Sequence, residues 1–211
     1  MLYIVGVGPG DPSLATLKAV DTIRGCRVVL GWRSVVERFK HLLDGKEVVY
    51  LTYGNQEAEL RRAAERAAGD EVCLLVHGDP LVSDWELLER VRALGVDFEV
   101  VNGVSSVNVA LGRVGLDLAQ VVFLTMHASR PQDVAEVACV ARSRALVIFP
   151  PPGGIRRLAE ALISLGMGKC RAVVLENLTL PGEWEWRGSV EEMAELDAGD
   201  LAAVVVDCRV S

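Results

Sequence analysis

Three short turns in this chain carry residues that could do chemistry. They are VGVGPGD (5–11), HGDPLVSD (77–84) and NGVSS (102–106). Between them they offer glycine-rich main chain, the carboxylates of Asp11 and Asp79, and the hydroxyls of Ser105 and Ser106. Such a set suits a polar small molecule held by backbone N–H groups, hydroxyls and a carboxylate. Each turn also has a plainer reading. Gly6, Gly8 and Gly10 can serve a tight strand-to-helix turn. Asp79 before Pro80 can make an Asx-turn, and Ser105 can cap a helix. Pro9 stiffens the first turn, Asp11 is placed to cap the coming helix, and Pro12 suits a first helical position.

The elements around these turns alternate. Apolar runs of strand length fall at 2–7, 26–31, 47–51, 71–77 and 98–102, with helix-period segments at 14–25, 34–43, 56–69, 84–95 and 105–115. The strands are continuously apolar, as in parallel sheets covered on both faces. The alternation argues for an α/β fold with right-handed crossovers. A second set has strands at 121–126, 145–150, 171–178 and 201–207, helices at 133–143 and 155–166, and an alternating edge strand at 183–189. Ser189 and Glu192 stand in capping-box spacing before a short helix. The expectation is two αβα domains, residues 1–115 and 116–211, with a mainly parallel N-terminal sheet and a mixed C-terminal sheet. All three turns then lie at carboxyl ends of strands, where open α/β sheets bind ligands.

Composition narrows the classes. Of 211 residues, 51% are hydrophobic but only 5% aromatic, so the core is aliphatic. The net charge of −7 and the lack of a basic stripe disfavour a nucleic-acid partner. No apolar stretch approaches the roughly 20 residues of a membrane span. The N-terminus lacks a basic n-region and a small-residue cleavage site, so no signal peptide is expected. Cys26, Cys73, Cys139, Cys170 and Cys208 form no C-x-x-C pair. They read as small, reduced core residues of a cytoplasmic protein, with no metal site. The first turn fails the dinucleotide fingerprint: its third position is Asp11, and CRVVLG ends without the acid that holds a ribose.

Taken together, GVGPGDP, then GDP after the fourth strand, then GVSS before a helix, resemble the tetrapyrrole methylase family over the whole chain. The resemblance implies two α/β domains with the active site in the cleft between them, and S-adenosylmethionine as cofactor. It maps Gly78, Asp79, Val82, Ser105, Ser106 and Leu178 to the cofactor, and turns Gly8, Pro9, Gly10 and Asp11 toward a tetrapyrrole. TMHASRP (125–131) and VLENLTLPGEWEWRGS (174–189) are similar to the cobalamin-pathway branch that methylates meso carbon C-5 of a precorrin or cobalt-precorrin. GDPLV is closer to the branch that methylates a modified histidine of elongation factor 2. Asn102 replaces the proline usual before GVSS. A non-catalytic cofactor- or tetrapyrrole-binding module is a third reading.

For the precorrin reading, the macrocycle's carbon attacks the sulfonium methyl directly. The catalytic residues are unknown, with His127 and Asp79 as candidate bases. His127 has a turn-residue reading beside it. Arg33, Arg113 and Arg130 could meet substrate carboxylates, because the guanidinium fork fits them; a solvated surface charge is the plainer reading of each. His127 and Arg130 join Arg33 as expected substrate contacts. Trp184 and Trp186 would line the trough or an edge against a partner. The family resemblance implies a homodimer. With the chain ending at Ser211, a separate protein is expected to carry the partner C-15 methylation and decarboxylation.

Overall fold

Five parallel strands form the first sheet: Leu2–Gly6 (β1), Val28–Trp32 (β2), Glu47–Leu51 (β3), Val72–Val76 (β4) and Phe98–Val101 (β5). These come from a computed structural model that describes residues 1–126, 133–151 and 153–209. The strand order is β3-β2-β4-β1-β5. Side chains alternate between two apolar layers. Leu2, Ile4, Val72, Leu74 and Val76 enter one; Val5, Val7, Cys73 and Leu75 enter the other. Continuous apolar strands are what a sheet covered on both faces requires.

The order β4-β1-β5 decides where chemistry can occur. It sets the turns after these three strands side by side at one edge. The backbones there approach too closely for any side chain. A Cβ on Gly6 would lie 2.7 Å from Gly103 N, Gly78 O and Pro80 Cδ, and one on Gly103 would lie 2.2 Å from Gly78 O. Gly8 and Gly78 also exchange both main-chain hydrogen bonds, at 3.2 and 2.8 Å, each with φ in the left-handed region.

Helices Leu17–Gly25 (α1), Arg33–Val36 (α2), Gln56–Arg66 (α3) and Trp85–Ala93 (α4) complete this unit. Asp11 caps the 3-10 turn Pro12–Leu14, as its position suggested, and Thr16 caps α1. The expected helix at 34–43 is instead α2 followed by the 3-10 stretch Glu37–Leu42, broken at Phe39 (φ −108°, ψ 16°).

The second sheet is mixed, with order β6-β7-β10-β8-β9. Its strands are Val121–Thr125 (β6), Ala145–Phe149 (β7), Arg171–Glu176 (β8), Trp184–Ser189 (β9) and Ala202–Asp207 (β10). The β6–β7 pair is parallel and the other pairs are antiparallel, with β9 at the edge. Helices Ser106–Val114 (α5), Ile155–Ser164 (α6) and Val190–Met193 (α7) belong to this unit. The capping box at Ser189 and Glu192 forms, with both reciprocal bonds present. The segment expected to be helical at 133–143 is a 3-10 stretch, Val134–Val140.

The chain divides by contacts into Met1–Ser105 and Ser106–Ser211, ten residues earlier than the sequence boundary at 115. The difference is α5. Its Ala110 packs with Leu175, Leu178 and Ala203 of the second sheet, a long-range pairing that no local pattern reveals.

The cysteines also differ from expectation. Cys26 and Cys73 form a disulfide, with Cα atoms 5.9 Å apart, and so do Cys170 and Cys208, at 4.5 Å. The reduced reading is therefore corrected. Cys26 precedes β2 and Cys73 lies in β4, which are neighbours in the sheet though separated by 47 residues. Cys139 is the exposed, unpaired one, not a core residue. Among the described residues no helix is long and apolar enough to cross a membrane.

Gly103→Ala is expected to destabilise the chain by about 1–3 kcal/mol, the usual cost of overpacking. Urea unfolding measures it, and an unchanged midpoint would show that the junction yields.

Candidate functional site

Asp79 holds the first unit's edge together. It is 9% exposed, and its Oδ1 accepts from the Leu81 N–H at 2.8 Å, closing the Asx-turn expected before Pro80. Its Oδ2 accepts from the Gly103 N–H at 3.2 Å and from Asn102 Nδ2 at 3.2 Å. One carboxylate thus ties the turn after β4 to the turn after β5. Asn102 has a role here: its side-chain amide donates to Asp79. Its own carbonyl accepts from the Thr16 hydroxyl at 3.3 Å, linking the start of α1 to the same turn.

The rest of 77–84 is tightly wound. The Val82 N–H donates to the Asp79 carbonyl at 2.9 Å. Ser83 sits at φ +80°, a left-handed conformation that costs a non-glycine residue about 1–3 kcal/mol and concentrates at functional turns. Asp84 precedes α4 yet makes no side-chain capping bond. Burial, and then the charge of Asp79, raise its carboxyl from 3.8 to about 7. Ser105 is buried and engaged, and Ser106 is the first residue of α5.

Asp11 accepts from the Ser13 N–H at 2.8 Å, which with the Ser13 hydroxyl holds its carboxyl below the usual range. Arg33 opens α2, lies 4.0 Å from the Tyr50 ring centre and pairs with Glu37 at 3.6 Å. Arg113 is committed within the second unit, where its Nε lies 2.8 Å from Glu183 Oε1. Leu178 is buried there, between Asn177 and Thr179, which both have left-handed φ. Trp186 packs on the second core, while Trp184, on the same edge strand β9, is 40% exposed. His127 and Arg130 lie outside the described residues.

The structure thus brings Gly8, Pro9, Gly10, Asp11, Gly78, Asp79, Val82 and Ser105 to one edge of the first unit. Sequence reading missed Asn102, Asp84, Arg38 and His77 as members of that edge. Asn102 could have been found from its departure from proline. Arg38 and His77 carried no local signal. Among the described residues, no group of three or more His, Cys, Asp or Glu could hold a metal ion.

An open parallel α/β unit with three glycine-bearing turns gathered at its carboxyl edge is the arrangement in which α/β proteins bind ligands. Comparison with known proteins is specific. The model of the Tetrapyrrole (Corrin/Porphyrin) Methylases matches residues 1–194, so the chain belongs to that family. A probable cobalt-precorrin-7 C(5)-methyltransferase of Methanocaldococcus jannaschii is 28% identical, over 98% of this chain and 96% of that one. The crystal structure of a precorrin-6Y methylase of cobalamin biosynthesis from Archaeoglobus fulgidus is 28% identical, with a TM-score of 0.77, covering 98% of this chain and 97% of that one. A uroporphyrin-III C-methyltransferase from Thermus thermophilus, solved with S-adenosylhomocysteine, is 29% identical. Its TM-score is 0.81, over 99% of this chain and 98% of that one. Enzymes of this family use S-adenosylmethionine as methyl donor.

The Asp84 carboxyl gives a pH signature. Unfolded, it titrates near 3.8, and folded near 7. Between these values the folded chain holds a proton that the unfolded chain releases. The carboxyl therefore favours the fold at low pH, and the advantage is lost as pH rises from about 3.8 to about 7. Asp84→Asn is expected to flatten this slope and to be more stable than the parent at alkaline pH. Urea unfolding at acid and alkaline pH measures it; superimposable pH profiles would contradict the shift.

Proposed function

We propose that this chain methylates meso carbon C-5 of a precorrin or cobalt-precorrin macrocycle in cobalamin biosynthesis. The observation that carries this reading is the Methanocaldococcus jannaschii relative, which matches nearly end to end at 28% identity. The Archaeoglobus fulgidus precorrin-6Y methylase supports it from the structural side. The Thermus thermophilus enzyme is as similar in sequence but is named for a different tetrapyrrole, so the acceptor carbon rests on the first relative.

The first unit's edge suits such a cofactor. Gly6 and Gly103 bring main chain against Gly78 where a Cβ on either would collide, leaving backbone polar groups at the strand ends. In this reading Gly78, Asp79, Val82 and Ser105 hold the cofactor, largely through main chain. Gly8, Pro9, Gly10 and Asp11 face the macrocycle. When bound, S-adenosylmethionine supplies a sulfonium-bound methyl group that a nucleophilic carbon can displace without a covalent enzyme intermediate. The protein's part is alignment, which can lower a barrier by several kcal/mol. Asp79 acts as the brace of these turns: with its four acceptor contacts inside the edge, it fixes the backbone that would meet the cofactor.

Two measurements test this. Methyl-labelled S-adenosylmethionine with cobalt-precorrin-7 is expected to label the macrocycle at C-5. Label only on elongation factor 2, or at another ring carbon, would refute the assignment. Asp79→Ala frees the turns after β4 and β5 from each other and is expected to weaken S-adenosylhomocysteine binding by about tenfold or more, equivalent to about 1.4 kcal/mol. Calorimetry reads it, and an unchanged dissociation constant would remove this turn from the cofactor site.

A further inference from the structure

Among the described residues, two buried side-chain nitrogens of the first unit have no hydrogen-bond partner: Nη1 of Arg38 and Nε2 of His77. They are neighbours in the fold. His77 directly follows β4, Arg38 lies in the 3-10 stretch that follows β2 and α2, and β2 pairs with β4. Both therefore stand at the carboxyl edge that carries the glycine-rich turns. His77 donates to the Pro9 carbonyl, and since Nε2 has no partner the donor is Nδ1. The imidazole is thereby anchored to the Gly8–Asp11 turn with its other nitrogen unused. Burial, and then the Arg38 charge, hold His77 below its usual range.

Among the described residues, no acid forms an ion pair with Arg38. Burial alone depresses its guanidinium, with no carboxylate acting on it. The adjacent acid, Glu37, is already taken: it accepts from the Tyr50 hydroxyl and pairs with Arg33. Arg38 as a whole is half-buried, but its Nη1 is enclosed, and a buried polar atom without a partner calls for an explanation. The first unit carries two such atoms, on residues close enough for the Arg38 charge to act on His77, next to the turn that the family resemblance directs at the substrate.

We propose that Arg38 and His77 form a subsite for a carboxylate group at this edge. The guanidinium presents a fork that matches a carboxylate and supplies the missing charge balance. Nε2 of His77 becomes a second donor once protonated, which a neighbouring carboxylate favours. A bridging water would satisfy both nitrogens but would leave the guanidinium charge uncompensated. The source of the carboxylate rests on the proposed function, which offers two: the amino-acid end of S-adenosylmethionine, or an acidic side chain of the macrocycle.

Acetate is the direct probe. Titrated into the intact chain and followed by NMR at the His77 imidazole, assigned with His77→Gln, it is expected to produce a saturable shift that Arg38→Met abolishes. Absence of a saturable shift, or the same shift in Arg38→Met, overturns the proposal. Calorimetry with S-adenosylhomocysteine and with uroporphyrin III then identifies the source. The ligand that loses about tenfold or more in affinity for Arg38→Met supplies the carboxylate. Binding of both ligands with no loss of either would overturn the proposal. If the wild-type chain bound neither, the methyltransferase reading would fail, while the acetate result would still decide the subsite. Arg38→Lys keeps the charge without the fork and is expected to fall between parent and Arg38→Met. It also serves if Arg38→Met does not give a parent-like circular dichroism spectrum.

Discussion

The first unit depends on a meeting of three main chains that no side chain could share. Gly6, Gly78 and Gly103 come within van der Waals reach at the ends of β1, β4 and β5, and a Cβ on Gly6 or Gly103 would collide with the neighbouring main chain. The paired bonds between Gly8 and Gly78 extend this junction outward. Everything proposed for the edge depends on it. The turns are close because the glycines let them be close. Asp79 can then bond donors from two of them, and Asn102 and Thr16 bind the start of α1 into the same network.

That closeness leaves charges in unusual settings. Asp79 is balanced by N–H donors, but its charge acts on Asp84, in the same turn, and helps push it toward neutrality. Arg38 and His77, near the foot of the Gly8–Asp11 turn, are two basic groups placed close together, each with a buried nitrogen that has no partner among the described residues. A sequence selected only for stability would be expected to relieve both, because perturbed titratable groups concentrate where function holds them. The family's chemistry, moving a methyl group from a charged donor, gives such a setting a use.

Much of this was legible from the residues. The strands of the first sheet declared themselves because a doubly covered sheet leaves no polar face to interrupt the apolar run. Asp11, Ser189 and the Asx-turn at Asp79 were legible because caps and turns are local. The three glycine turns could be assigned to one edge as soon as the sheet was taken to be parallel. What stayed hidden depends on distant pairing. The α5 helix reads as the tail of the first unit, but Ala110 belongs to the second core. The cysteines sit singly in apolar runs, and only the adjacency of β2 and β4 brings Cys26 to Cys73. Arg38 falls inside the segment expected to be one helix at 34–43; the break at Phe39 changes the course of that segment, and Nη1 of Arg38 ends up buried.

The Cys26–Cys73 link encloses α2, β3, α3 and the 52–55 turn, where Tyr53 is 89% exposed. A peptide bond cut anywhere from 27 to 72 would yield two fragments that remain one covalent molecule. A cut between β2 and β3 would therefore leave β3 joined through β4 to Cys73, and through the disulfide to Cys26 beside β2, its local concentration there kept by sulfur where the direct chain link is lost. In this sense the first unit tolerates a wound where it is most reachable.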